Sequence, residues 1–262
     1  VTFFEAVFLG FLQGITEFLP VSSSGHLVIA RQFLEIRDIP VLFDVLLHIS
    51  TLLVVCLVFR KTLLRLVTSF VRLLGAKKVD ADDRGSILAI IVATFVTAVL
   101  GLGIESLSPG ENPVLVAVLF LVTGIILFLP RIFSWGGEDR TPGIKTGLIV
   151  GAAQGLGVFP GISRSGITIT ASLGAGLSRE RAGEFAFIIS IPAILGALVL
   201  TLRDLESLSG RIDLLSLAGG MLASFLVGYV SLRLLLRLVR GGNLHYFSFY
   251  LVPLSLISLL IL

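Results

Sequence analysis

Six apolar runs of roughly bilayer-spanning length constrain this chain more than any other feature. They cover approximately 41–59, 87–104, 114–129, 185–202, 214–232 and 244–262. A helix rises about 1.5 Å per residue, so roughly 20 apolar residues match a hydrocarbon core ~30 Å thick. With 55% apolar and 14% charged residues in 262, and a mean hydropathy of +1.04, the expectation is an integral membrane protein. No linker-like or low-complexity stretch divides it, so a single membrane domain over 1–262 is expected.

The charges place the loops. Residues 60–86 carry Arg60, Lys61, Arg65, Arg72, Lys77, Lys78 and Arg84, whereas 105–113 carry no lysine or arginine. The positive-inside rule puts the first loop in the cytoplasm. Counting spans from there also puts 131–146 and 233–242 inside, and 203–213, with Asp204, Glu206 and Asp213, outside. The same rule accounts for the net charge of +3 and the pI near 9.4 without a nucleic-acid partner. Cys56, the single cysteine, permits no internal disulfide or thiolate cluster and reads as a small core hydrophobe. The sequence opens with no basic segment ahead of an apolar one, so a cleaved signal peptide is not expected. Residues 61–75 intersperse Lys61, Arg65 and Arg72 among apolar residues, which suits either an amphipathic helix on the inner surface or an ordinary linker helix.

Two more apolar segments, near 3–35 and 145–178, are interrupted by proline, glycine and serine, so each reads as helix, loop, helix. They resemble each other. At an offset of 141, Gly10, Gln13, Gly14, Phe18, Ser22, Ser24 and Gly25 meet Gly151, Gln154, Gly155, Phe159, Ser163, Ser165 and Gly166. The correspondence continues from FDVLLHIS (Phe43 to Ser50) to GEFAFIIS (Gly183 to Ser190). If the broken segments are re-entrant, each half is one helix-loop-helix plus three spans, and the odd span count inverts the second half. The predicted fold is therefore an all-α membrane protein with an inverted-topology repeat, about 1–133 and about 144–262, whose broken tips meet near the midplane. Such irregular backbone is tolerated only when packed in protein or lining a wet cavity.

The tips carry the chemistry. In EFLPVSSSGHL, Gln13 and Glu17 precede the break on one helix face, and Pro20 with Ser22 to Ser24 ends one helix and starts the next. Ser24 and Gly25 read as cap positions for a helix beginning at His26, whose start would favour a phosphate-like anion. PGISRSGIT repeats the device and adds Arg164. Serine and glycine are equally at home at helix contacts, but a charge at the centre of a span costs about 2.5–3.5 kcal/mol and marks function by default. Glu17 and Arg164 are such charges. Asp44, His48 and Glu184 are either supporting groups or interface residues.

Together, QGITEFLPVSSSGHL and PGISRSGIT resemble the paired signature of the bacitracin-resistance family of undecaprenyl-diphosphate phosphatases, over essentially the whole chain. The family's first motif, Glu or Gln, three residues, then Glu, is matched by Gln13 and Glu17 in its glutamine form. The second is matched by Ser163, Arg164, Ser165 and Thr168. The resemblance implies hydrolysis of a long-chain polyprenyl diphosphate to the monophosphate and inorganic phosphate, recycling the lipid carrier for cell-envelope polymer synthesis. It also implies dependence on a divalent cation, Mg2+ or Ca2+, and a plasma-membrane site opening to the extracytoplasmic side. Glu17, Ser23, His26 and Arg164 are the candidate catalytic residues. Ser22, Ser24, Gly25, Ser163, Ser165, Gly166 and Thr168 are candidate substrate-binding residues, and Gln13 with Glu17 would hold the cation through hard oxygen ligands. A helix start disfavours an imidazolium, leaving His26 neutral and able to accept a proton. Ser23 is the first choice of nucleophile, with water or His26 next.

The SGH tripeptide also occurs in the phosphatidic-acid-phosphatase superfamily, but that group needs a histidine and then an aspartate soon after its Ser-Arg, and no histidine follows Arg164 before His245. The alternative from another class is a transporter or flippase for a lipid phosphate or anion, because inverted repeats with broken helices suit transport. The expected partners are the polyprenyl diphosphate lipid and the bilayer; a homo-oligomer is compatible with the sequence.

Overall fold

The computed structural model describes residues 2–33, 41–105, 112–203 and 213–261. Among them there are eleven α-helices and no strand: α1 Phe3–Phe18, α2 Ser23–Phe33, α3 Val41–Val58, α4 Arg60–Leu74, α5 Ala81–Glu105, α6 Pro113–Ile132, α7 Ile144–Leu156, α8 Arg164–Gly174, α9 Arg179–Arg203, α10 Leu214–Arg240 and α11 Ser248–Ile261, the last preceded by a 3-10 turn, Leu244–Phe247. Residues 106–111 and 204–212, including Asp204 and Glu206 of the expected outer loops, lie outside the described residues.

Five stretches, α5, α6, α9, α10 and Leu244–Ile261, are long and apolar enough to cross a membrane. A sixth candidate is the bent pair of α3 and α4, in which α3, with 18 residues, is by itself about 27 Å long. After Val58 the chain turns by 82° into α4. Each expected span is thus a helix, and the chain is a multi-pass membrane protein.

The two broken segments are helix-turn-helix units. A capping box, Thr2 with Glu5, starts α1. The helix stops at Phe18 because a residue before proline is pushed out of helical geometry, and Leu19 is extended at φ −60°, ψ 140°. Both return helices, α2 and α8, pack back on their partners, α1 and α7.

Three long helices, α3, α5 and α6, separate the first unit from the second, which inverts the second copy. Packing follows the same relation. α1 packs on α10, and α7 packs on α5, the matching helix of the other half. The paired glycines explain the closeness: a methyl on Gly10 would fall 2.1 Å from the Gly220 carbonyl oxygen, and one on Gly151 would fall 2.7 Å from Ala93. Small residues let backbones approach where lipid supplies no hydrophobic drive for association. Helices α6 and α11, also mates, are tied by Ser248 Oγ donating to the Gly124 carbonyl at 2.7 Å and Ser255 Oγ to the Ala117 carbonyl at 2.6 Å.

Candidate active site

The two tips touch. Ser22 sits at φ +70°, and its hydroxyl oxygen accepts from the Gly25 N–H at 3.4 Å, within its own tip, and from the Gly161 N–H of the other tip at 3.1 Å. Ser163, its repeat mate, accepts from the Gly166 N–H at 3.1 Å and so caps α8. Thr123 of α6 ties the second tip down, donating to the Gly161 carbonyl at 2.9 Å and accepting from the Ser163 N–H at 3.2 Å. Gly161, at φ +99°, has no room for a side chain: a methyl would lie 2.6 Å from the Val116 carbonyl oxygen.

These contacts correct one expectation. The second helix begins at Ser23 and not at His26, so Ser22 is its capping residue; Ser24 is exposed, with its hydroxyl 3.4 Å from that of Ser22. Three serines in a row offer three equivalent caps to a sequence reading. The left-handed turn at Ser22 and the neighbouring tip select one.

Glu17, at the end of α1, is the charged centre, with its side chain 8% exposed. Its Oε1 accepts from Arg164 Nη2 of the opposite tip at 3.2 Å. Its Oε2 accepts from Ser23 Oγ at 2.6 Å and Gln13 Nε2 at 3.1 Å, and faces His48 Nε2 at 3.6 Å. A carboxylate taken out of water persists only where charges and donors compensate it, and here a guanidinium, an amide and a hydroxyl do so. His48 Nδ1 donates to the Asp44 carbonyl at 2.9 Å, which turns Nε2 toward Glu17. Asp44 itself pairs with Arg31, and Glu184 accepts from Thr62. Of the three groups the sequence left undivided, His48 belongs to the centre.

Beside the Glu17–Arg164 pair opens a narrow cleft lined by Thr51 of α3, Ser165 and Thr168 of α8, and Ser190 of α9 among others. Ser165 shares a 3.2 Å hydrogen bond with Ser163, and Thr168 donates back to the Arg164 carbonyl at 2.7 Å. Gly25 and Gly166 act by close approach: a methyl on Gly25 would meet the Phe120 ring at 2.6 Å, and one on Gly166 would meet Pro20 and Leu127 at 3.1 Å.

His26 lies apart from the Glu17 cluster. Its Nδ1 donates to the Ser22 carbonyl at 2.8 Å, and its Nε2 lies 2.8 Å from the Tyr250 hydroxyl, with the Phe120 ring 5.1 Å away. With Nδ1 committed to a carbonyl, a neutral ring offers Nε2 as an acceptor to that hydroxyl. Tyr250 was not visible to sequence reasoning. It lies in the last apolar run, where an aromatic residue near a span end is ordinary.

Among the described residues no three His, Cys, Asp or Glu side chains gather as a metal-holding group. The Gln13–Glu17 pair nevertheless suits a hard cation that takes one carboxylate and completes its shell with substrate phosphate oxygens. Gln13 is fully buried and its Oε1 has no hydrogen-bond partner. Its repeat mate Gln154 donates to Thr97 and to the Ile189 carbonyl, and four residues after it stands Val158, not an acid. The pair exists in one half only.

The family model described as bacitracin resistance protein BacA matches residues 6–257. This chain belongs to the BacA family. Among its relatives, an undecaprenyl-diphosphatase of Treponema denticola is 47% identical over 97% of this chain and 95% of its own length. One of Borrelia recurrentis is 38% identical, covering 97% and 96%. One of Desulfosudis oleivorans is 43% identical, covering 94% and 93%. The BacA match runs through both tips and every helix, so it embraces the Glu17–Arg164 contact between halves.

Proposed function

We propose that this protein is an undecaprenyl-diphosphate phosphatase: it hydrolyses a polyprenyl diphosphate to the monophosphate and inorganic phosphate, recycling a lipid carrier at the plasma membrane. The observation that carries the mechanism is the Ser23 hydroxyl donating to Glu17 Oε2 at 2.6 Å, with Arg164 on the same carboxylate. A hydroxyl beside a carboxylate is a nucleophile beside its base.

Ser23 Oγ attacks the terminal phosphorus while its proton passes to Glu17. The bond from that phosphorus to the bridging oxygen breaks, and the bridging oxygen leaves on the polyprenyl monophosphate. Water then attacks the phosphoseryl group and the Ser23–phosphorus bond breaks. Glu17 returns the first proton to Ser23, takes one from the attacking water and releases it to solvent as inorganic phosphate departs, so the carboxylate is restored. Phosphoryl transfer depends chiefly on positioning and charge stabilisation. Arg164 supplies the fixed positive charge, with guanidinium nitrogens beyond the one on Glu17 available to phosphate oxygens. The free amides at the start of α2 and α8 add to it. Glu17 and the Gln13 carbonyl oxygen would hold Mg2+ or Ca2+, which when bound neutralises charge on the diphosphate. Exposed Ser24 and cleft-lining Ser165 are placed to meet phosphate oxygens, while Ser22, Ser163, Gly25, Gly166 and Thr168 shape the backbone that receives them.

His26 lies on the α6–α11 side, and the acceptor beside Ser23 is Glu17. That favours Ser23 over His26 as nucleophile and leaves His26, held by Tyr250, for proton transfer at the substrate. The prenyl tail stays among lipid-facing helices while its head reaches the tips, from the extracytoplasmic side. The deciding measurement is phosphate release from a polyprenyl diphosphate by the purified protein, with and without chelator. Cation-dependent release is expected; lipid translocation without bond cleavage would replace a phosphatase by a transporter.

A further inference from the structure

Helix α4 presents three different faces. Leu66 and Ser69 are buried, with Ser69 Oγ donating to Asp83 of α5 at 2.6 Å and Thr62 donating to Glu184 of α9. A second stripe, Leu64, Val67, Val71 and Leu74, is 60–72% exposed although every member is a large apolar residue. The spacings of three, four and three residues put these four on one line along the helix. Between the two runs a third stripe, Lys61, Arg65 and Arg72, also exposed. Beyond the helix end at Gly75, exposed Lys77 and Lys78 extend the positive charge. Arg65 pairs with Asp83 at 3.3 Å, but among the described residues Lys61, Arg72, Lys77 and Lys78 make no ion pair.

A helix turned 82° from the preceding span, with an apolar stripe and a basic stripe side by side, has the form of one lying in a membrane interface. We propose that α4 rests in the plane of the cytoplasmic leaflet, its apolar stripe in the acyl region and Lys61, Arg72, Lys77 and Lys78 bound to anionic lipid headgroups. Charge complementarity favours this occupant over a second copy of the chain. A two-fold contact through the same stripe would bring one basic row beside another, whereas an anionic leaflet supplies the missing negative charge. The proposal stands independently of the phosphatase reading.

The test uses the purified full chain with equal amounts of phosphatidylglycerol and phosphatidylcholine, counting retained lipids by native mass spectrometry. Wild type is expected to retain phosphatidylglycerol preferentially. Replacing Lys61, Arg72, Lys77 and Lys78 together by glutamine should cut that preference at least about tenfold, given that each basic residue near an anionic surface contributes about fivefold. Because all four side chains are exposed, the fold should survive; should the variant not fold, wild type in high salt serves instead and must lose the same preference. Equal retention of both lipids, or a preference that survives neutralisation or salt, overturns the proposal. So does a spin label at Val67, in a Cys56→Ala background in liposomes, that is shielded by a second copy and not accessible to lipid-dissolved oxygen.

Discussion

The hydroxyl of Ser23, first residue of α2, donates to the carboxylate of Glu17, last charged residue of α1, at 2.6 Å across the break between the two helices. The proposed nucleophile and its proposed base therefore share one helix-turn-helix unit, while the guanidinium of Arg164 comes from the other, 3.2 Å from the same carboxylate. Ser23→Ala should lower the chemical step at least about a hundredfold, the general scale for losing a catalytic group, while substrate still binds. Single-turnover release of phosphate, measured beside substrate binding, checks this. Normal single-turnover kinetics in Ser23→Ala, with loss in His26→Ala, would transfer attack to His26 or to water.

Arg164→Lys keeps the charge and should still lose most activity. A point ammonium cannot hold the Glu17 carboxylate and phosphate oxygens with several fixed N–H groups at once. Turnover near that of wild type would show that charge alone suffices.

Glu17→Gln removes the only carboxylate of the Gln13–Glu17 pair. The cation concentration needed for half-maximal phosphate release should rise, and the maximal rate should also fall, because the base for Ser23 is gone. An unchanged cation requirement with a reduced rate would leave Glu17 as base and place the cation elsewhere.

Ser22 and Ser24 should behave differently. Ser22→Ala loses the cap of α2 and leaves the Gly161 N–H unpaired between the tips, so it should destabilise by about 1–3 kcal/mol. Ser24→Ala, at an exposed hydroxyl, should stay within about 0.5 kcal/mol of wild type. Thermal unfolding in detergent distinguishes them, and equal losses would contradict the assignment of the cap.

Much of this was legible in the sequence because the bilayer is an unforgiving solvent. Apolar runs had to be spans, Pro20 and the serines had to break a helix, and Glu17 and Arg164 were conspicuous because charge is costly there. The repeat told which tips would face each other. What stayed hidden depends on tertiary approach: His48 reaches Glu17 only because α3 packs beside α1, and nothing in FDVLLHIS separates it from Asp44. The choice of Ser22 as cap required the left-handed turn and the second tip.

Tyr250 was equally hidden, and its pairing with His26 leads to a sharper expectation. The Nδ1–H of His26 is fixed on the Ser22 carbonyl, so Nε2 is the nitrogen that can accept a proton, and the Tyr250 hydroxyl is the donor that holds it at 2.8 Å. The two rings also stack, with centroids 5.8 Å apart. Tyr250→Phe keeps the ring and removes the hydroxyl, so packing should be preserved and only the proton partner lost. If His26 transfers a proton during turnover, Tyr250→Phe should lower kcat about tenfold or more, with KM changed little, and alter the pH dependence of kcat, because Nε2 loses the donor that held it. A purely structural role would leave the shape of the pH profile as in wild type and shift only thermal stability. The companion variant His26→Ala decides between these cases: when Tyr250 acts through His26, adding Tyr250→Phe to His26→Ala should cost nothing further, since the two changes remove one interaction. Additive losses in the double variant would mean that the Tyr250 hydroxyl acts elsewhere.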